Sequence, residues 1–197
     1  MTKQQTKKQE IKTSPNRILE ILRFGLFGVI GFGVGIFLTR QFMFSLLLTE
    51  PLVFGISYTI LGAILGAIGG LSLGLVIRDT KKAKFLVLAG AIGSVIASIL
   101  NLYIYFYLSA SALPPEVILG AVGGASFGLV FKNWKKVLIM ALASGVGFYL
   151  GYYIMHYMYT YTNLLFSVNS LFIPGCIGGL SVGLTFGYLE TTKSQRK

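Results

Sequence analysis

Gly66-Ala-Ile-Gly-Gly-Leu-Ser-Leu-Gly-Leu75 is the stretch that decides the fold, because this phrase occurs three times in the chain. It returns as Gly120-Ala-Val-Gly-Gly-Ala-Ser-Phe-Gly-Leu129 and as Gly175-Cys-Ile-Gly-Gly-Leu-Ser-Val-Gly-Leu184, at steps of 54 and 55 residues. Each copy lies within a long apolar run. The repeating unit is therefore predicted to be a membrane-embedded one.

The composition also indicates a membrane protein. Of the 197 residues, 54% are hydrophobic and 12% are charged, whereas soluble domains have about 25% charged residues. Six stretches reach the roughly 20 residues that a helix needs to cross the bilayer. Because lipid offers the backbone no hydrogen-bond partners, helices are expected. The sequence thus predicts an all-α integral membrane protein with spans at 18–47, 52–77, 84–109, 114–133, 136–161 and 169–189.

The charge of +11 is distributed unevenly along the chain. In a six-span topology, sixteen of the 17 Lys and Arg residues fall on one side and only Arg40 falls on the other. This positive-inside pattern predicts a cell (inner or plasma) membrane protein with both termini in the cytoplasm. The same distribution argues against a nucleic-acid surface. The bilayer is the expected partner.

The chain divides into one membrane domain and two basic tails. The predicted boundaries are 1–16 for the first tail, 17–190 for the domain (repeats 17–78, 79–132 and 133–190) and 191–197 for the second tail. The first tail is polar and is expected to be disordered and attracted to anionic lipid. Cys176 is the single cysteine, which excludes an internal disulfide, and it is interpreted as a small buried residue.

Each repeat is predicted to be a helical hairpin. Two spans per repeat give all three hairpins the same orientation, so they are related by a pseudo-threefold axis along the membrane normal. The even-numbered spans carry small residues on two opposite faces and are expected to lie inside the bundle.

The first small face is a stripe of glycines four residues apart. Such a stripe permits close approach between helix backbones in lipid. It resembles the glycine-zipper pattern of channel and membrane-assembly proteins. The predicted packing residues are Gly62, Gly66, Gly70, Gly74, Gly120, Gly124, Gly128, Gly175, Gly179, Gly183 and Gly187.

The second small face carries a serine at the same position of each copy: Ser72, Ser126 and Ser181. One interpretation is a ring of hydroxyls that lines a central path. The other is that each hydroxyl bonds back to its own helix four residues earlier, which is common in membrane helices.

Ionisable residues are nearly absent from the spans. Arg40 and Glu50 are a candidate ion pair or anion site across the outer turn; alternatively they are two interfacial groups. Glu116 starts the fourth span. His156 is interpreted as a structural or interfacial histidine, with pH sensing as the alternative. With no acid pair at catalytic or metal spacing, we expect no enzyme activity, no metal and no cofactor.

Tyrosines cluster toward the outer end of the third and fifth spans. They are interpreted as an interfacial belt, with an aromatic-lined vestibule as the alternative. Together these features predict a structural or assembly protein that packs through its glycine faces, with itself or with a membrane partner. The alternative is a small channel or permease for a neutral or weakly polar solute along the repeat axis.

Overall fold

A computed structural model describes residues 15–46, 51–77, 79–107, 114–162 and 172–194. These residues form six α-helices and one short 3₁₀ turn. The helices are α1 (Pro15–Leu46), α2 (Pro51–Val76), α3 (Thr80–Tyr107), α4 (Pro115–Gly128, continued by the 3₁₀ turn Leu129–Phe131), α5 (Trp134–Thr162) and α6 (Phe172–Ser194).

The helix starts follow local chemistry. Three helices begin at proline, whose missing N–H and fixed φ suit the first helical position. At the start of α3, the Asp79 carboxylate accepts hydrogen bonds from the backbone N–H groups of Lys81 (3.0 Å) and Lys82 (3.2 Å). At the start of α5, the Asn133 side chain accepts one from Lys135. These acceptors satisfy donors that have no partner within the helix.

The prediction of an all-helical fold is confirmed for the described residues. Five helices are long and apolar enough to cross a membrane. The sixth apolar segment, Pro115–Phe131, is shorter. It rises about 26 Å if taken as helix throughout, and it stops at Lys132, whose φ of 51° ends the helical conformation.

The helix boundaries differ from the predicted spans by up to five residues. One five-residue difference is at the end of α6, which continues to Ser194 through the first part of the predicted tail 191–197. The hydroxyls of Thr191 and Thr192 donate to the Tyr188 carbonyl, and Lys82 of α3 forms an ion pair with Glu190. These contacts keep this segment helical, although its composition resembles that of a tail.

The six helices form a closed ring in chain order, in which each contacts its two neighbours and α6 closes against α1. The expectation that the even-numbered helices lie inside the bundle is wrong. Each even-numbered helix stands between two odd-numbered ones, with apolar side chains such as Ile60 and Leu71 exposed on its outer surface. Its two small faces meet its two neighbours, so small residues on opposite faces do not require a central position.

Three phenylalanines occupy the centre of the ring. Phe32 of α1 makes edge-to-face contacts with Phe127 of α4 and Phe148 of α5, with ring centroids 5.8 Å apart in each pair. Since α1 and α4 stand opposite each other in the ring, the contact between Phe32 and Phe127 crosses the middle of the bundle. We call Phe32, Phe127 and Phe148 the central aromatic layer.

A second aromatic layer lies nearer the end of the bundle that carries most of the lysines, which we call the basic end. Phe186 of α6 contacts Phe24 of α1 (5.5 Å between centroids) and Phe131 (4.9 Å). All three rings are buried, and Leu189 belongs to the same cluster. Aromatic side chains therefore occupy the centre of the bundle at two successive levels.

Polar contacts tie α6 to its neighbours at the basic end. Lys136 of α5 donates to the Leu189 carbonyl (3.0 Å), and its ammonium lies 4.7 Å from the ring centroid of Phe131. Arg17 of α1 donates to the hydroxyl of Thr192 (2.9 Å), and its guanidinium lies over the ring of Tyr188. The last two turns of α6 thus hold α1 and α5 together.

Candidate functional site

The predicted glycine stripe of α6 lies against α1. A Cβ added at Gly179 would overlap the Gly28 carbonyl, and one added at Gly183 would overlap the Phe24 carbonyl. Gly175 and Gly187 lie against the same helix. The two backbones are close enough that no side chain fits between them at these positions.

The stripes of α2 and α4 make the same kind of contact with the next helix. On α2, Gly66 faces Gly90, Gly70 faces Leu86, and Gly62 and Gly74 face other residues of α3. On α4, the neighbours of the three stripe residues all lie on α5; these residues are Gly120, Gly124 and Gly128. All eleven predicted packing glycines therefore touch the helix that follows in the ring.

The repeated serines touch the preceding helix instead, each against a glycine. Ser72 lies against Gly31 of α1, Ser126 against Gly93 of α3, and Ser181 against Gly147 of α5. Gly31, Gly93 and Gly147 therefore mark the same position on the three odd-numbered helices. We call residues of these helices equivalent when they lie the same number of residues before or after these glycines.

Each of the three serine hydroxyls donates to a backbone carbonyl. Ser72 bonds to Gly69 of its own helix (2.7 Å) and Ser126 bonds to Val122 of its own helix (2.9 Å). Ser181 differs because it bonds across the interface to Ala143 of α5 (2.6 Å). Hence every repeated serine lies at a helix–helix contact, and its hydroxyl group donates its hydrogen bond to a carbonyl of the protein.

One position in the central aromatic layer departs from the pattern. Phe32 and Phe148 each follow the aligned glycine, and the equivalent residue on α3 is Ser94. A Cβ added at Gly69 or Gly178 would overlap a phenylalanine ring, but one at the corresponding Gly123 meets nothing within 4 Å. Open space therefore remains beside Gly123 inside the bundle.

The opposite end of the bundle contains a buried polar cluster between α2, α3 and α4. The Asn101 side-chain amide donates to the Pro115 carbonyl (3.0 Å) and to the Tyr58 hydroxyl (3.4 Å). Glu116, which starts the fourth span, is buried next to Pro115. Ser98 is buried one turn from Asn101. Asn101 thereby fixes the start of the short helix α4.

The remaining sequence candidates lie apart from this interior. His156 is exposed and stacks on Tyr152, with ring centroids 6.1 Å apart. Cys176 of α6 is half-buried, and its side chain lies against Gly33 of α1. Glu50 and the side chain of Arg40 lie outside the described residues, so their predicted pairing stays a prediction.

Sequence reasoning missed the central aromatic layer and Asn101. A polar residue inside an apolar span was a visible signal for Asn101. The aromatic layer carried a weaker signal, because Phe127 belongs to an even-numbered helix and to a different position of the repeat than Phe32 and Phe148. Among the described residues, no three His, Cys, Asp or Glu side chains come together as a metal site would require.

Comparison of the chain with protein-family models, with curated proteins and with solved structures found no significant match.

Proposed function

We propose that this chain is a multi-pass protein of the cell (inner or plasma) membrane that serves as a structural or assembly protein, with both termini in the cytoplasm. The apolar helices support the membrane location. The orientation is supported by the sixteen basic residues on one side of the topology. The basic first tail would contact anionic lipid.

We further propose that the bundle is built from three glycine-zipper repeats around a pseudo-threefold axis. The support is that equivalent residues make equivalent contacts. The stripe of each even-numbered helix faces the following helix, and its serine faces the preceding one, as Ser72 with Gly31 illustrates. Missing side chains allow the backbone proximity that drives helix association in lipid.

The observation that carries the structural role is the filled centre. Phe32 reaches from α1 to Phe127 and Phe148, and a second aromatic layer follows toward the basic end. A bundle whose centre is occupied by contacting aromatic side chains is suited to rigid support rather than to conduction. The packing surfaces of the glycine stripes are used within the chain, so a partner would bind the outer surface.

The alternative function is a small channel or permease for a neutral or weakly polar solute. One observation favours it: the open space beside Gly123, where Ser94 replaces a phenylalanine. In this case the central aromatic layer would be a gate, and the path would pass near Ser94 and the repeated serines.

Thiol accessibility separates the two functions. In a Cys176→Ala background, single cysteines replace Ser72, Ser94, Ser126 or Ser181, and membrane-impermeant maleimide is applied from each side. Alanine is the natural residue at the two positions that correspond to Cys176, namely Ala67 and Ala121. A structural role predicts no labelling until the protein is denatured. An exposed Lys135→Cys variant checks the reagent. Labelling of Ser94→Cys together with one repeated serine in the native protein would favour the channel.

A further inference from the structure

A stripe of exposed side chains runs along the outer face of α5. In its second half, tyrosines occur every fourth residue, at Tyr149, Tyr153, Tyr157 and Tyr161. Toward the basic end the same face continues through Val146, Leu142 and Leu138. All seven side chains are between 45% and 71% exposed. We call the four tyrosines the tyrosine ladder; it extends for about 18 Å along the helix axis.

The ladder reaches too deep to be an interfacial belt. Tyrosines of a belt lie at the ends of a span, whereas Tyr149 directly follows Phe148 of the central aromatic layer. At the positions equivalent to Tyr149 and Tyr153, α3 carries Val95 and Ile99. The fifth helix therefore has hydroxyl groups at a depth where its repeat counterpart has purely apolar ones.

These hydroxyls need partners. Side chains lean toward the helix N-terminus, which for α5 is the basic end, so Tyr149 and Tyr153 lean toward the middle of the membrane and away from the nearer surface. Within the described part of the chain, no hydrogen bond is made by the four ladder hydroxyls. A hydroxyl left without a partner in hydrocarbon is strongly disfavoured.

The rings form a preorganised surface. Tyr149 stacks on Tyr153 with centroids 6.5 Å apart, and Tyr157 contacts Tyr161 at 4.6 Å. Of the five long spans, α5 also has the smallest buried share. The seven exposed side chains offer roughly 600 Å² per copy, near the about 800 Å² that each partner contributes to a standard interface.

The chemistry of the stripe favours a second copy of this chain as the occupant. Around a twofold axis along the membrane normal, each residue near the axis meets its own copy and must be complementary to itself. A tyrosine meets this condition, because its hydroxyl both donates and accepts and its ring stacks on an identical ring. From Leu138 to Tyr161 the stripe contains no Lys, Arg, Asp or Glu that would repel its own copy.

We propose that the chain forms a parallel homodimer through α5, in which the tyrosine ladders of two copies stack and hydrogen-bond across a twofold axis. This interface lies on the outer surface and goes beyond the proposed function, since a scaffold and a permease could both use it.

Cysteine cross-linking in native membranes tests the interface. In the Cys176→Ala background, Val146→Cys and Tyr153→Cys are oxidised beside the matched variants Ile92→Cys and Ile99→Cys, which occupy the equivalent, similarly exposed positions of α3. We expect disulfide-linked dimers from the two α5 variants only. Equal cross-linking of both pairs, cross-linking of the α3 pair alone, or none at all would overturn the proposal.

A second measurement removes the hydroxyls and keeps the rings. Tyr149→Phe and Tyr153→Phe are introduced together, and dimerisation is measured by energy transfer between labelled copies in vesicles. Each lost hydroxyl pair is expected to weaken the dimer about threefold, so the double variant about tenfold. The proposal is contradicted if the wild-type chain stays monomeric, whether it is alone or bound to lipid or to another membrane protein. It is also contradicted if the double variant has the same dissociation constant as the wild type.

Discussion

Gly28 of α1 and Gly179 of α6 face each other so closely that a Cβ on either residue would overlap the carbonyl oxygen of the other. The first and last helices of the bundle therefore meet backbone to backbone. The contact needs glycine on both sides, and it lies at the interface that closes the ring.

We expect Gly28→Ala and Gly179→Ala each to lower the free energy of unfolding by about 1–3 kcal/mol, because the added methyl forces two backbones apart. Thermal unfolding in detergent or bicelles measures the effect. Gly123→Ala is the matched control, since nothing lies within 4 Å of its added Cβ. It should be neutral or slightly stabilising. Equal destabilisation by all three variants would contradict the close packing of α1 against α6.

The central aromatic layer predicts a compensating pair. Phe127 of α4 lies beside α3, where Ser94 leaves room, and it corresponds to Leu73 and Val182 in the other repeats. We expect Phe127→Leu to cost about 1–2 kcal/mol by leaving a cavity, and Ser94→Phe to cost about 1–3 kcal/mol by overpacking.

The double variant Ser94→Phe/Phe127→Leu recreates the Phe–Leu combination of Phe32 with Leu73. Its unfolding free energy should therefore lie closer to that of the wild type than the sum of the single effects predicts. A double-mutant cycle by denaturant unfolding measures the coupling. Strict additivity would show that the two side chains do not share one space.

Asn101 is expected to hold the start of α4. Asn101→Leu removes the donor to the Pro115 carbonyl and should cost about 1–2 kcal/mol. Thr39→Val serves as the comparison, because the hydrogen bonds of the Thr39 hydroxyl to described residues are all within its own helix, to the Gly35 and Ile36 carbonyls. Amide hydrogen exchange should show the loss first in α4. Equal exchange in both variants would argue against this role.

The ion pair of Lys82 with Glu190 should contribute modestly to stability. Both side chains are partly exposed, so we expect Lys82→Met to cost about 0.5–1 kcal/mol at low salt and less at high salt. Lys84→Met, an exposed neighbour without an ion pair to a described residue, should change little. The prediction fails if salt does not reduce the difference between the two variants.

Much of the architecture could be predicted because it follows from composition and period. Apolar runs of sufficient length indicated the six helices, and the glycine spacing predicted close approach between helix backbones without identifying their partners. The place of the even-numbered helices could not be predicted, since small residues on two faces fit both a central helix and a ring member. The repeated serines illustrate the limit: Ser181 bonds to a neighbouring helix, and only the register between α5 and α6 decides that.

The inward faces of the helices were equally hidden from sequence reasoning. Phe32 and Phe127 are separated by 95 positions, and nothing in either span marks which face turns inward. The continuation of α6 to Ser194 could not be predicted, because Thr191 and Thr192 resemble a tail until their partners on other helices are known.

The closure of α6 on α1 has a consequence for biosynthesis. The glycine stripes join α2 to α3 and α4 to α5 across short turns at the basic end, so these pairs can form as soon as both helices have been made. The third such pair consists of the last helix and the first. During translation, the face of α1 that carries Phe24 and Gly28 remains uncovered until α6 has been made. We expect a truncated chain without α6 to leave this face of α1 exposed to lipid and to other membrane proteins.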